Sequence, residues 1–288
     1  VLYQRLQIYT VRALNRFLHR LAAFAVLAWL AGCAVPFDPD QRLTVDVPTR
    51  AQVIGVPLIQ QADFYCGPAS LAMVLQWAGS DITQEDIAAL AFNPGAEGTY
   101  LADMIGSSRR LGQLAVEISG FDQLLAEVAA GHPVIVFQNL GLAGLPIWHY
   151  GVVTAYDFEA DLVYLNSGQR DQMVMPFAVF ERTWRRGDFW GLVVLPPDQL
   201  PISVSETDIL KAAAGLETVE AFDAAETLYK TGAHQWPTNW LWQFGLANAR
   251  FGKGNLHGAQ RALRRARALG PDIPEVRANL NHINSLLR

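Results

Sequence analysis

Cysteine is nearly absent: the 288 residues hold two, Cys33 and Cys66. Two thiols cannot make a disulfide framework, and no cysteine–histidine grouping has the spacing of a zinc site. Charge is also sparse, at 17% of residues against 51% hydrophobic, so the chain buries a sizeable core and is not intrinsically disordered. There is no cationic excess. A formal net charge of −5 argues against a general binder of phosphate backbones, and no nucleic-acid partner is expected. The apolar run Leu21–Gly32 has 12 residues, short of the roughly 20 that a bilayer core requires, which disfavours a permanent membrane span. No feature calls for a metal or an organic cofactor.

What is present begins with a leader. Residues 1–33 carry Arg5, Arg12, Arg16 and Arg20 and no acidic side chain. Basic flank, short apolar stretch and small residues are the layout of a secretory signal. The stretch closes on Leu30-Ala31-Gly32-Cys33, which resembles the lipobox of bacterial lipoproteins. That resemblance implies cleavage before Cys33, a diacylglycerol on its thiol and anchorage in the bacterial cell envelope. Ala34 in place of Asp at the next position resembles sorting to the outer membrane, on its periplasmic face. Beyond the leader, residues 34–205 hold 8 basic and 19 acidic side chains, and residues 206–288 hold 10 and 8. The body is acidic and the tail mildly basic.

Residues 34–52 are rich in Pro, Asp and Arg without periodicity and read as a tether. From 53 to 195 the pattern alternates. Leu71, Val74, Leu75 and Ala78 recur at helical spacing and predict a helix from about Cys66 to Ala78, closed by Gly79. Further helices are expected from Thr83, over Thr99–Leu111 and over Phe121–Ala130. Val134–Phe137, Tyr150–Tyr156, Leu162–Leu165 and Leu192–Leu195 are short β-branched or aromatic runs and predict strands. Helices first and an antiparallel sheet second make an α+β domain. Residues 196–205 read as a linker. In residues 206–288, Ala212 and Leu246, Ala213 and Ala247, Ala225 and Ala259, and Gly232 and Ala266 pair at a period of 34. With a closing helix after Pro274, this resembles the tetratricopeptide repeat, which implies an all-α stack whose groove recruits a protein partner.

With Cys33 assigned to lipid, Cys66 is the thiol left for chemistry. It stands at the first turn of its helix, followed by Gly67-Pro68, where unpaired N–H groups and the helix dipole favour a thiolate. A proline so early sacrifices no hydrogen bond. Six residues upstream, the Gln60 carboxamide is placed to donate to the oxyanion of an acyl transfer. Gln60, five residues, Cys66-Gly67 and an apolar helix resemble the papain-like core of the bacteriocin-processing, double-glycine leader peptidases. Gly131–Val136 resembles the strand before that family's histidine, and Trp148–Asp157 the histidine strand itself. Over residues 53–195 the resemblance implies a papain-like cysteine peptidase with Cys66 as nucleophile, His149 as general base and acid, and Gln60 as oxyanion donor. Gln61, at a spacing of five, is the second choice. The family orients its imidazole with an Asp or Asn at the end of the next strand, often within Asn-Asp-Pro; here the stretch is Asn166-Ser167-Gly168. Alternation puts Asn166 and Ser167 on opposite faces, so only one can face His149. Asn166 is the expectation, its side-chain oxygen accepting from the imidazole N–H, with Asp157 in the turn a lesser substitute.

The expected function is a lipid-anchored cysteine peptidase acting on a peptide or protein. The thiolate attacks a carbonyl, the imidazole protonates the departing amine, and water clears the acyl-enzyme. Two other functions fit the same residues. One is an inactive binding protein on a peptidase scaffold, motivated by Ser167-Gly168; the other is acyl transfer to an amine, as in transglutaminases. His132, in a Gly-His-Pro turn, is expected at the surface, and His234, His257 and His282 on helices of the repeats. Trp148, Trp184 and Trp190 divide between cleft lining and core packing.

Overall fold

A computed structural model describes residues 37–168, 172–270 and 272–288; the leader and Cys33 lie outside the described residues. The fold starts earlier than the composition indicates. Phe37 is 6% exposed, wedged against Phe121, Phe158 and Phe177 with ring centroids 4.9, 5.7 and 4.4 Å away. Helix α1 (Pro39–Arg42) follows, then strand β1 (Arg50–Gln52), which pairs antiparallel with β4 (Trp148–Asp157). The expected tether is therefore part of the fold from Phe37 onward. One buried aromatic and a three-residue strand have no period to read, yet burying a Phe side chain is worth about 1.5–3 kcal/mol.

Three helices come next: α2 (Cys66–Trp77), α3 (Gln84–Ala91) and α4 (Leu101–Arg110). Thr83 and Asp86 form a reciprocal capping box that sets the start of α3. The rest of the domain is β2 (Leu114–Ser119), α5 (Gly120–Ala129), β3 (Val134–Asn139), β4, β5 (Leu162–Asn166), β6 (Gln172–Pro176), α6 (Phe177–Arg185) and β7 (Trp190–Leu195). The strands form one sheet in the order β2-β7-β3-β4-β5-β6, with β1 beside β4 and every pairing antiparallel. Alternation sorts the side chains onto two faces. Ile135, Tyr150, Val152 and Leu192 pack with Leu71, Val74 and Leu75 of α2. Val134, Val136, Val153 and Leu165 pack on the other face with Leu124 of α5 and Phe180 of α6.

The sequence reading lacks β2, β6 and α6. Strand β2 buries both faces only over Leu114–Val116: Ala115 joins the α2 side, Leu114 and Val116 pack with residues after position 205, and Glu117 and Ser119 are exposed. A stretch covered twice shows no polar alternation. The covering comes from α7 (Glu206–Glu217), which leads into α8 (Phe222–Gln235), α9 (Trp240–Gly252), α10 (Leu256–Leu269) and α11 (Pro274–Leu286). Helices start at 206, 240 and 274 and their companions at 222 and 256, the period of 34 seen in the sequence. Close approach is set by small residues: a Cβ on Gly232 would lie 2.2 Å from the Trp242 ring, and one on Gly245 2.1 Å from Tyr229.

Residues 196–205 are not a free linker. Glu127 of α5 is 0% exposed; its Oε1 accepts the backbone N–H groups of Ile202 and Ser203 at 2.8 and 2.7 Å. Its Oε2 lies 2.6 Å from His132 Nδ1. His132, expected at the surface, is thus a buried carboxylate's partner, its side chain only 13% exposed. Residues 37–288 cluster as one compact unit.

Candidate active site

Cys66 opens α2 after a turn in which the Tyr65 N–H donates to the Ala62 carbonyl at 3.0 Å. Phe64, within that turn, has φ of 64°, a left-handed conformation that costs a non-glycine residue roughly 1–2 kcal/mol. Among the described residues no side chain caps α2, so its first-turn N–H groups remain available to an anion at the cysteine. Gly67 is required by packing. A Cβ there would come within 2.9 Å of the Thr99 Cβ and 3.3 Å of the Met104 sulfur. Burial pushes the Cys66 thiol up, while the backbone N–H groups of Tyr150, Gly67 and Cys66 itself pull it down. Since Tyr150 follows His149, the strand that carries the imidazole runs directly past the sulfur.

A cavity of about 410 Å³ opens onto Cys66, walled by Thr99, Tyr100, Phe137, Trp148 and Tyr150. The Tyr150 hydroxyl donates to the Thr99 carbonyl at 3.0 Å, fixing the 93–100 loop against the sheet. Trp148 is 50% exposed and lines this space, whereas Trp184 is 0% exposed and donates its indole N–H to the Trp190 carbonyl. Trp148 is cleft and Trp184 is core.

His149 Nε2 lies 2.5 Å from Ser167 Oγ. Burial alone pushes the imidazole down to about 4. Asn166, expected as the orienter, turns away: its Nδ2 donates to the carbonyls of Val56 and Pro57 at 3.3 and 3.2 Å. The register decides this. Val152 pairs with Asn166 and Val153 with Leu165, so Asn166 shares the Val152 face and Ser167 the face of His149 and Gly151. A Cβ on Gly151 would meet that of Ser167 at 3.5 Å. Asp157 stands at the opposite end of β4 and accepts the Ala160 N–H.

The two glutamines separate as well. Gln60 is exposed, and its carbonyl accepts from Gln84 Nε2 at 3.1 Å. Gln61 and His149 both border Gly168, where a Cβ would lie 3.9 Å from Gln61 Oε1 and 4.0 Å from His149 Cε1. Strand parity in the sequence lets only one of Asn166 and Ser167 face His149 without saying which, and the β4–β5 register places Ser167 there.

Residues 53–189 match the Peptidase_C39 like family. That stretch is a Peptidase C39-like domain. Its fold is the α+β papain-like one with an antiparallel sheet, and a C-terminal helical region follows it. No curated protein matches the chain. Among solved structures, a C39-like peptidase from Bacillus anthracis is 22% identical over 51% of this chain and 97% of its own, with a TM-score of 0.44. The peptidase domain of Streptococcus ComA, a bi-functional ABC transporter, is 23% identical over 49% and 99%, with a TM-score of 0.41. A double glycine motif protease from an AMS/PCAT transporter, in complex with its leader peptide, is 21% identical over 52% and 98%, with a TM-score of 0.39. The family match ends at residue 189, before the Glu127-held segment and the helices.

Proposed function

We propose that the chain is a cysteine peptidase with Cys66 as nucleophile, His149 as base and acid, and Ser167 orienting His149. The observation that carries this reading is a thiol at an uncapped helix start, open to a cavity, beside the strand of a histidine whose Nε2 is already held. Nε2 lies against Ser167, so in this mechanism the imidazole takes the tautomer protonated there and Nδ1 is the ring nitrogen that receives the thiol proton. The sulfur then bonds to the carbonyl carbon, and the peptide nitrogen leaves with the proton from Nδ1. Water, losing its proton to the same nitrogen, splits the thioester. The first-turn N–H groups of α2 suit the developing oxyanion, and Gln60 or Gln61 adds a carboxamide. The substrate is a peptide or protein segment. As part of the same proposal, Cys33 carries a lipid that holds the chain at the cell envelope, and the helical region is a tetratricopeptide-like stack that recruits a protein partner.

One observation favours a second reading, a binding protein on this scaffold. The group at the imidazole is a hydroxyl, which carries no charge to support an imidazolium, and burial moves thiol and imidazole toward their neutral forms. Alkylation by iodoacetamide separates the two. A peptidase predicts labelling of Cys66 faster than a free thiol near neutral pH, slowed in His149→Ala. Labelling at the free-thiol rate in both proteins sinks the catalytic reading. Conjugates formed on adding an amine to an active protein would instead identify acyl transfer.

A further inference from the structure

We propose that the cleft continues past Cys66 into a second cavity that takes a basic side chain of the substrate. This rests on the peptidase reading of the Cys66 cavity. Leu101, Phe137 and Trp148 line that cavity and also a neighbouring one of about 570 Å³. A polypeptide lying against Cys66 therefore has a continuous path across the Trp148 indole. Trp148 is half exposed and stacks on Phe137 with centroids 5.0 Å apart and planes 10° from parallel. It is a rigid aromatic platform facing solvent, suited to the apolar stem and cationic head of a Lys or Arg.

The charges around the platform select the same ligand. Glu117, Asp188 and Asp208 line the second cavity against one cation, Arg186. Arg186 is committed: its Nη1 donates to the carbonyls of Asn139 and Gly141 at 3.0 and 2.5 Å. Asp208 is committed too, to the Ser205 hydroxyl at 2.6 Å and Lys211 at 3.1 Å. Among the described residues Glu117 spends only Oε1, which accepts the Trp190 indole N–H at 2.7 Å. Its charge reaches Arg109, but no ion pair joins the two among the described residues. Asp188 has no ion pair there either, and its backbone is held in a left-handed conformation, φ 55°. With Asp208 paired to Lys211, Glu117 and Asp188 stand against the single guanidinium of Arg186, whose carbonyl partners do not cancel its charge, so the lining keeps a negative excess. Val204 and Asp208, which also line the cavity, lie beyond the stretch 53–189 that matches the family. The segment pinned by Glu127 brings them there.

The test uses the full chain with Cys66→Ala, so that peptides bind without turnover. Fluorescent peptides carrying Arg at each successive position are compared with the same peptides carrying citrulline, which keeps the shape and removes the charge. One position should favour Arg by about fivefold, the worth of a partly exposed ion pair, and added salt should erode the preference. Glu117→Gln with Asp188→Asn should abolish it, and Gln still accepts the Trp190 N–H. Equal binding of Arg and citrulline everywhere, no binding of any peptide, or an Arg preference that survives the double substitution each overturns the assignment. Cleavage by the wild-type chain is read separately. Arg-selective binding without hydrolysis would unseat the peptidase reading and leave the cavity assignment standing.

Discussion

Replacing Ser167 by Asp tests the architecture of the site at its most informative point. Ser167 Oγ lies 2.5 Å from His149 Nε2 and the residue is 2% exposed, so a carboxylate placed there meets the imidazole out of water. An opposite charge within about 4–6 Å raises a histidine by roughly 1–3 units, about 1.4–4 kcal/mol of preference for the charged form. Starting from about 4, His149 should move into the range of roughly 5–7. The two groups then titrate as a pair: imidazolium and carboxylate stabilise each other, and the imidazolium in turn favours the Cys66 thiolate. Alkylation of Cys66 at pH 7 should accelerate by about tenfold, the effect of one unit. At alkaline pH, where the imidazole is neutral, the buried carboxylate has no partner, and the variant should lose about 1–3 kcal/mol of stability. The assay is the NMR titration of the His149 Cε1–H, assigned by its disappearance in His149→Gln, alongside the pH dependence of alkylation. A midpoint unmoved in a folded variant would mean that position 167 does not face the imidazole, and the site as drawn is wrong. Ser167→Ala gives the converse: slower alkylation with no upward shift.

Other consequences follow from neighbouring contacts. His149 is depressed to about 4 in the fold from 6.5, so the unfolded chain binds the proton first and stability falls as pH drops from 6.5 toward 4. The loss is about 3 kcal/mol; chemical denaturation across that window should show it, and a His149→Gln variant retaining the same slope would refute the assignment. Glu127→Ala strips the acceptors of Ile202, Ser203 and His132 at once and should cost about 3 kcal/mol. Proteolysis between 196 and 205 should speed up with it, and unchanged protection would show that the segment is held by other contacts. Gly232→Ala drives a methyl into the Trp242 ring and should lower stability by about 1–3 kcal/mol, readable as a lower Tm; no change would mean that the helices are packed less tightly than described.

The sequence by itself determined the helix that Cys66 opens. Cys66-Gly67-Pro68 before an apolar stripe allows one reading, because helix starts, helix dipoles and helical periodicity are local properties. The period of 34 in the last helices was equally local, each helix pair repeating its own small residues. His149 was legible as one residue of a distinctive strand. Tertiary structure decided everything that depends on which strand lies beside which. Asn166 and Ser167 are adjacent in the chain and opposite in space, and only the pairing of Val152 with Asn166 tells which of them meets His149. A slip of one residue exchanges the two faces. Phe37, β2 and Glu127 escaped for the same reason: each is buried by partners more than 70 residues away, and burial from a distance leaves no period in the local sequence.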